Sequence, residues 1–209
     1  MPVELVTTDG TFALDGGEWE VTNNIWLVGD DREVVVFDAA HDHQPIVDAV
    51  AGRIVRAIVL THGHNDHINA AVPLREVVDA PIVLHPDDRM LWDVVWPDDA
   101  PDRKLEPGSI ISVGGHDLAV VHTPGHSPGC CCFHDVVDAT VFSGDTLFCG
   151  GPGATGRSFS DEPTIVRSII DHLLSLPDHT VVHTGHGEST TIGDERAGVL
   201  ARAAELGLT

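Results

Sequence analysis

The sequence predicts a single α/β domain in which two mixed β-sheets carry helices on their outer faces. The chain has 209 residues, the size of one such domain, and 42% of them are hydrophobic, as a packed core requires. Short apolar runs alternate with helical stretches along the chain, so that hairpins and strand–helix units are mixed. None of the Pro- or Gly-rich stretches in this chain resembles a domain linker. We therefore expect residues 1–209 to form one domain.

A hairpin begins the first half of the chain, and alternating helices and strands complete it. Gly29 and Asp30 are turn residues that separate the two hairpin strands. Pro45 and Gly52 bound the first helix, and Pro73 predicts a kink in the second. In chain order we expect strands over 25–29 and 33–38, a helix over 44–52, a strand over 56–61, a helix over 69–80, a strand over 81–85 and a helix near 86–95.

The second half of the chain is richer in strands than in helices. Gly114 and Gly115 separate its first two strands, and Pro163 opens its first helix. In chain order we expect strands over 109–113, 117–123, 130–135 and 139–145, a helix over 163–175, a strand over 179–185 and a closing helix over 193–207.

Composition and charge exclude several classes of partner. A formal net charge of −22 would repel a phosphate backbone, so we expect no nucleic-acid partner. No apolar run approaches the roughly 20 residues that span a bilayer, and the amino terminus lacks the basic start and apolar stretch of a signal peptide. We therefore expect a cytoplasmic protein with no membrane partner, and we leave self-association into a homo-oligomer open.

The four cysteines are consistent with that compartment. Cys130, Cys131 and Cys132 are adjacent and Cys149 stands apart, a spacing that fits neither a disulfide framework nor a zinc ribbon. We interpret all four as small apolar strand residues, which suits a reducing environment.

The stretch THGHNDH, residues 61–67, joins a predicted strand to a predicted helix, and such loops commonly carry sites on α/β scaffolds. Residues two apart in extended chain project to the same side, so His62 and His64 can reach one ion. Asp66 and His67 follow a bend and can reach a second point nearby. Gly63 leaves room for close approach of the backbone.

Three later segments repeat this arrangement of a metal-capable side chain just after a β-rich run and beside glycine. They are HTPGHSPG around His126, FSGDTLF around Asp145 and HTGHGES around His186. One such segment would mean little, but an ordered set of four is a strong indication of a metal site. Nitrogen and oxygen ligands of this kind suit zinc, and also iron or manganese.

The ordered set resembles the metallo-β-lactamase superfamily over residues 23–187. The resemblance implies a four-layer αββα sandwich with a site for two divalent metal ions between the sheets. It also implies that the first ion is bound by His62, His64 and His126, the second by Asp66, His67 and His186, and both by Asp145.

Three other polar residues are weaker candidates for a role in metal binding. His41 and His43 form a small HDH cluster, but no partner for a third metal site is evident, and we interpret them as ordinary surface or core residues. Asp38, at a strand end, either supports the site from behind or is a solvated turn residue.

The stretch GPGATGRS, 151–158, nearly matches two nucleotide-binding loops, but both need a helix directly after the glycines. Arg157 also stands where the phosphate-binding loop requires lysine. We expect instead a glycine-rich loop beside the metal site.

Two divalent ions that share a water lower its pKa from 15.7 toward ~7, and the hydroxide can attack a carbonyl carbon. Asp66 could orient that hydroxide, so no serine or cysteine nucleophile is needed. A thiolate, with a pKa of ~8.5, leaves far more easily than an amine. A thioester is therefore the easier substrate for such a site.

Within the superfamily, several branches fit poorly. Secreted zinc β-lactamases usually have a cysteine where Asp145 stands, homoserine lactonases use a tyrosine that this chain lacks, and nucleases need nucleic-acid contacts. The motifs THGHNDH, TPGHSPG, SGDTLF and TGHG resemble the glyoxalase II-like branch, hydroxyacylglutathione hydrolases that cleave thioesters of small thiols. That resemblance implies a small-molecule thioester substrate and a substrate-positioning role for Arg157.

The resemblance departs from full-length glyoxalase II after Gly187, where that enzyme continues into a helical glutathione-binding domain. The thiol carrier is therefore open, with an acyl- or formyl-mycothiol as one candidate. Persulfide dioxygenases resemble the same branch, and in that reading His62, His126 and Asp145 would bind a single iron. A non-catalytic metal-binding role is the third reading.

Overall fold

Two six-stranded β-sheets lie at the centre of the structure, a computed structural model that describes residues 3–208. The first sheet contains, in spatial order, β1 (Val3–Leu14), β2 (Gly17–Gly29), β3 (Glu33–Phe37), β4 (Ile54–Val59), β5 (Ile82–Leu84) and β6 (Arg103–Lys104). The other strands are, in chain order, β7 (Ile110–Val113), β8 (His116–His122), β9 (Cys131–Asp135), β10 (Thr140–Gly144), β11 (Leu147–Phe148), β12 (Gly151–Pro152), β13 (Val181–Thr184) and β14 (Thr190–Thr191). The second sheet has the order β14-β13-β10-β9-β8-β7, while β11 and β12 pair with each other.

The described residues form six α-helices and two shorter helical turns. The α-helices are α1 (His43–Val50), α2 (Asn65–Ile68), α3 (Ala71–Val78), α4 (Arg89–Val95), α5 (Glu162–Ser168) and α6 (Ile192–Glu205). A 3₁₀ turn, Pro86–Asp88, precedes α4, and a π-helical turn, Ile169–Leu173, continues α5. Among residues 3–208, none of these helices combines the length and apolar character needed to cross a bilayer.

Both sheets are mixed, as the sequence predicts. In the first, β1, β2 and β3 pair antiparallel, while β3, β4, β5 and β6 are parallel neighbours. In the second, β10 and β13 are parallel, and β8, β9 and β10 alternate in direction. Strands β8, β10 and β13 therefore run in the same direction, and the loops that follow them meet at one edge of the sheet.

The apolar core has three layers, which confirms the αββα sandwich. On β2, Trp26 and Val28 belong to the cluster between the two sheets, where they lie with Phe142. Ile25 and Leu27 alternate with them and belong to the cluster under the helices of the first sheet. A third cluster lies between the second sheet and α5 and α6. Because β2 is buried on both faces, its second half is a continuous apolar run rather than an alternating one.

The predicted elements are present with shifted ends, and the N-terminal hairpin is the main omission. Strands 25–29 and 33–38 are found as the end of β2 and as β3. The sequence pattern does not predict β1 or the first half of β2, because exposed and half-buried residues alternate there without an apolar run. Those two segments pair along their whole length, from Val3↔Val28 to Leu14↔Gly17.

Two predicted helices differ in detail. The kink at Pro73 is wrong, because Pro73 lies in the first turn of α3, where backbone N–H groups have no intrahelical acceptor. The helix over 163–175 is regular only to Ser168. It then widens, and the N–H of Leu174 bonds to the carbonyl of Ile169 at 2.8 Å. The extra residue per turn lets Leu173 and Leu174 both reach the core cluster beneath.

The cysteine prediction is correct in full for two residues, correct in burial alone for Cys130, and wrong for Cys149. Cys130, Cys131 and Cys132 are buried, and the last two lie in β9. Cys149 is exposed, because it follows the short strand β11 at the surface instead of continuing a buried one.

We expect His183 to make folding stability depend on pH. Its ring packs against Trp26 and Phe142 at centroid distances of 4.4 and 5.0 Å, and burial lowers its pKa to about 4. The unfolded chain, with a pKa near 6.5, then binds the proton more tightly. The contribution of the neutral His183 ring to folding stability is fully present above pH 6.5 and is lost as the pH falls toward 4. From pH 7 to pH 5 the loss is about 1–2 kcal/mol after allowance for solvent screening.

Urea unfolding at both pH values tests this, with His183→Gln as the comparison. The variant should lose less stability on acidification than the wild type by that amount. An equal loss in both proteins would show that His183 is not the source.

Candidate metal centre

The seven predicted ligands converge at the edge where the two sheets meet. The loop after β4 carries two of them, the helix α2 that follows carries two more, and the loops after β8, β10 and β13 carry one each. The residues brought together are His62, His64, Asp66, His67, His126, Asp145 and His186. The strand-end positions inferred from the sequence are therefore the positions that the fold joins.

Three histidines form the first group. His62 Nε2 lies 3.0 Å from His64 Nδ1, and His64 Nδ1 lies 2.9 Å from His126 Nε2. All three side chains are buried. Burial lowers the pKa of His62 well below its ordinary value and that of His64 to about 3, so these imidazoles are neutral. Neutral ring nitrogens that face one point are suited to hold a cation.

The second group combines two histidines with a carboxylate. His67 Nε2 lies 3.2 Å from His186 Nε2, and Asp66 Oδ2 lies 3.5 and 3.3 Å from those two nitrogens. Burial alone would raise the pKa of Asp66, but His67, His186 and Asn23 together outweigh it and the pKa falls to about 2. Asp66 is therefore ionised throughout the physiological range.

Asp145 lies between the two groups. Its Oδ2 is 3.5 Å from His126 Nε2 in the first group and 3.5 Å from His186 Nε2 in the second. Its Oδ1 is 3.4 Å from His67 Nε2. One carboxylate thus reaches both groups, as a bridging ligand must.

Protonation of the second group points to a site for positive charge. Burial would lower the pKa of His186, but the Asp145 and Asp66 carboxylates together outweigh it and raise that pKa to about 10. The pKa of His67 also lies well above its usual value, since Asp145, Asp66 and Asp38 together outweigh its burial. Bound cations would replace these protons, so that metal uptake and proton release are coupled.

Two oxygen atoms provide an independent test of whether the residues fit divalent ions. Within residues 3–208, Asp66 Oδ1 and Asp145 Oδ1 are buried and have no hydrogen-bond partner. A buried acceptor left unsatisfied costs about 1–3 kcal/mol, and more when it is charged. Divalent cations, or water bound to them, would satisfy these atoms, and a mixed nitrogen and oxygen donor set suits zinc, iron or manganese.

In three of the histidine ligands, the ring nitrogen that faces away from the centre donates a hydrogen bond. His67 Nδ1 donates to Asp38 Oδ2 at 3.0 Å, His126 Nδ1 to the carbonyl of Ala154 at 2.7 Å, and His186 Nδ1 to the carbonyl of Thr22 at 2.8 Å. Such bonds set the ring orientation and leave Nε2 for the ion.

Asp38 is a buried supporting residue. Its carboxylate accepts from the Thr61 N–H at 2.7 Å and the Thr61 hydroxyl at 2.8 Å, in addition to His67. The alternative of a solvated turn residue is therefore wrong. Its backbone has a φ of 56°, a left-handed conformation that aspartate tolerates better than most residues.

Sequence reasoning missed the residues that hold the ligands through long-range contacts. Asn23 Nδ2 donates to Asp66 Oδ2 at 3.0 Å, and His41 lies behind Asn23, with Nε2 2.8 Å from Asn23 Oδ1. The HDH cluster therefore supports a ligand through Asn23 but supplies none. Asp88 was also missed, although it follows β5, the neighbour of β4, and the strand-end argument applies to it equally.

Arg157 and the glycine-rich loop lie beside the centre. The Arg157 Cζ atom is 4.1 Å from the ring centroid of Trp19 and 5.3 Å from that of Phe12. The Phe12 ring in turn lies 5.3 Å from the His64 ring. The loop also supplies the Ala154 carbonyl to His126, which agrees with its predicted position.

Gly185→Ala should damage the centre without unfolding the protein. A Cβ at this position would overlap Asp145 Oδ1 and lie 2.9 Å from His67 Cε1. We expect metal content to fall by about half and activity by at least about tenfold, because a ligand displaced by 1 Å no longer fits the ions. Elemental analysis measures the metal content, thiol release measures the activity, and circular dichroism shows whether the protein is folded.

Gly198→Ala in α6 meets no atom within 4 Å and is the matched control. Equal metal content in both variants would contradict the expectation.

Comparison with known proteins agrees with the fold. The sequence model of the metallo-beta-lactamase superfamily matches residues 19–186. The probable metallo-hydrolase YqgX of Bacillus subtilis is 34% identical over 189 residues, covering 83% of this chain and 89% of that protein. Hydroxyacylglutathione hydrolase GloC of Haemophilus influenzae is 30% identical over 188 residues, covering 82% and 87%. The crystal structure of TTHA1623 in a di-iron-bound form superposes with a TM-score of 0.74 at 37% identity, covering 84% and 93%.

The chain therefore belongs to the metallo-β-lactamase superfamily and is a metal-dependent hydrolase of that superfamily.

Proposed function

We propose that the protein hydrolyses thioesters of a small cellular thiol, in the manner of glyoxalase II, at a centre for two divalent ions. The observation that carries the proposal is the position of Asp145, which reaches both ligand groups at once. The similarity to hydroxyacylglutathione hydrolase GloC supports the thioester class.

Bound ions would lower the pKa of water from 15.7 toward ~7 and polarise the substrate carbonyl. The protein's own contribution centres on Asp66. Its Oδ2 is held by Asn23, while its Oδ1 has no partner among residues 3–208 and can accept a hydrogen bond from the attacking water. Asp66 thereby orients the nucleophile. A thiolate with a pKa of ~8.5 then departs without a general acid, and none is required of the chain.

Arg157 favours a substrate that carries an anionic group, which its guanidinium can bind. Within residues 3–208, no carboxylate lies within ion-pair distance of its guanidinium; the nearby acidic group is Asp15, which interacts with Arg157 through its charge and accepts a hydrogen bond from the Ser158 N–H. Stacking on Trp19 covers one face of the guanidinium and leaves the N–H groups at its edge for a carboxylate.

Arg157→Gln should raise KM for a thioester that carries a carboxylate by about tenfold, with a much smaller change in kcat, because a binding contact of ~1.4 kcal/mol is removed. Steady-state thiol release measures both constants. Arg167→Gln, on α5 and away from the ligands, is the control. A fall in kcat at constant KM would assign Arg157 a different role.

Release of thiol from a panel of thioesters tests the reaction itself. The panel contains S-lactoylglutathione, S-formylmycothiol and an acyl-coenzyme A, with a cephalosporin and a homoserine lactone for comparison. We expect kcat/KM of at least about 10⁴ M⁻¹s⁻¹ for one thioester, and values far lower for the lactam and lactone. Failure with every thioester, together with oxygen consumption on a persulfide, would replace the hydrolase with a dioxygenase.

A further inference from the structure

We propose that Asp88 is a positioning residue that fixes the two loops of the first ligand group relative to each other. It lies at the end of the 3₁₀ turn after β5 and is fully buried. It belongs to none of the metal-ligand groups found among residues 3–208. This inference rests on the metal centre of the proposed function and adds a residue to its assembly.

The Asp88 carboxylate accepts three hydrogen bonds from two separate loops. Its Oδ2 accepts from the N–H of Gly63 at 2.7 Å and from the hydroxyl of Ser127 at 2.6 Å. Its Oδ1 accepts from the N–H of Gly129 at 2.6 Å. Burial raises the pKa of this carboxyl, and the three donors oppose that rise. In the ionised form, bonds of this kind are roughly twice as strong as neutral ones.

The donors adjoin the ligands in sequence. Gly63 stands between His62 and His64, and Ser127 directly follows His126. The first loop comes from the first sheet and the second loop from the second sheet. One carboxylate therefore connects the two sheets at the place where their histidines must meet.

Position 88 tolerates few side chains other than aspartate. A Cβ on Gly63 would lie 2.9 Å from Asp88 Cβ, and a Cβ on Gly129 would lie 2.7 Å from Asp88 Cγ. Both loops thus approach the carboxylate as closely as glycine allows. Asparagine would offer one acceptor oxygen and place an N–H₂ group against an N–H donor, which breaks at least one of the three bonds.

The separation of the two loops sets the geometry of the first group. His64 Nδ1 and His126 Nε2 are 2.9 Å apart, and metal sites tolerate displacements of only about 0.5 Å. The second group draws two of its ligands from α2 and the third from the loop after β13, and none of the three hydrogen bonds to Asp88 comes from these segments. Loss of Asp88 should therefore weaken the first site selectively.

Competition between the protein and a chelator for zinc tests the proposal without any substrate. For Asp88→Asn, we expect affinity at one of two sites to fall by about 10- to 100-fold, while the other site and the far-ultraviolet circular dichroism spectrum stay unchanged. Cobalt(II) should show an altered visible spectrum for one of two ions. The nearby Asp93→Asn, with an exposed carboxylate on α4, should bind both ions as the wild type does.

Ser127→Ala keeps the proposal open to refutation if Asp88→Asn does not fold. It removes one of the three donors and should lower affinity at one site by a few fold. If folded Asp88→Asn binds both ions with unchanged affinity, the proposal is overturned. If Asp88→Asn does not fold, unchanged affinity of Ser127→Ala for both ions overturns it. A wild-type protein that binds two ions but cleaves no thioester would refute the proposed function and leave the role of Asp88 standing.

Discussion

Asp145→Ala will lower kcat/KM for thioester hydrolysis by at least about 10³-fold, a loss of about 4 kcal/mol of transition-state stabilisation. Asp145 is the one side chain of the centre that approaches His126 on one side and His67 and His186 on the other. Its removal deprives both groups of a ligand and leaves two histidines without the carboxylate that holds them.

Metal content should fall with activity in this variant, to one ion per chain or fewer. Asp145→Asn keeps the volume but not the charge and should behave similarly. The control is Asp171→Ala, which removes an exposed carboxylate on the π-helical turn. Hydrolysis at the wild-type rate by a folded Asp145→Ala protein would contradict the hydrolytic mechanism.

Removal of metal by a chelator will lower the melting temperature by about 8–16 °C. A ligand present at 1,000 times its dissociation constant stabilises the folded state by about 4 kcal/mol, and 1 kcal/mol corresponds to about 2–4 °C in a chain of this size. The loss is large because Asp38, Asp66 and Asp145 are all buried, and without cations only protons on His67 and His186 balance them.

Differential scanning calorimetry with dipicolinate, followed by re-addition of zinc, measures this effect. The melting temperature should return when zinc is restored. Asp145→Ala should respond much less to the chelator, since it retains less metal. Identical melting temperatures with and without the chelator, at verified metal contents, would show that the centre does not stabilise the fold.

The sequence predicts the clustering of the seven candidate ligands because their signal is local. Four of them fall within residues 62–67, and each of the other three follows an apolar strand beside glycine. Strand direction then brings the loops together, so that the order along the chain suffices to anticipate the cluster.

The supporting residues are not predictable in the same way. Asn23 and Asp88 are single polar residues, and their partners lie 43 positions away for Asn23 and 25 to 41 positions away for Asp88. Their roles arise only from tertiary contacts, since Asn23 on β2 reaches the segment after β4 and Asp88 joins loops of both sheets. The β1–β2 hairpin is missed for a related reason, because it is held by strand pairing and by contacts such as Asn65 with Ala13 rather than by an apolar stripe.

The direct test of the account is the number and identity of metal ions in protein purified without added metal. The geometry of the two groups around Asp145 predicts close to two ions per chain, zinc or a mixture of zinc and iron. Close to one iron per chain with little zinc, in a fully folded preparation, would contradict the two-ion centre on which the proposed hydrolysis depends.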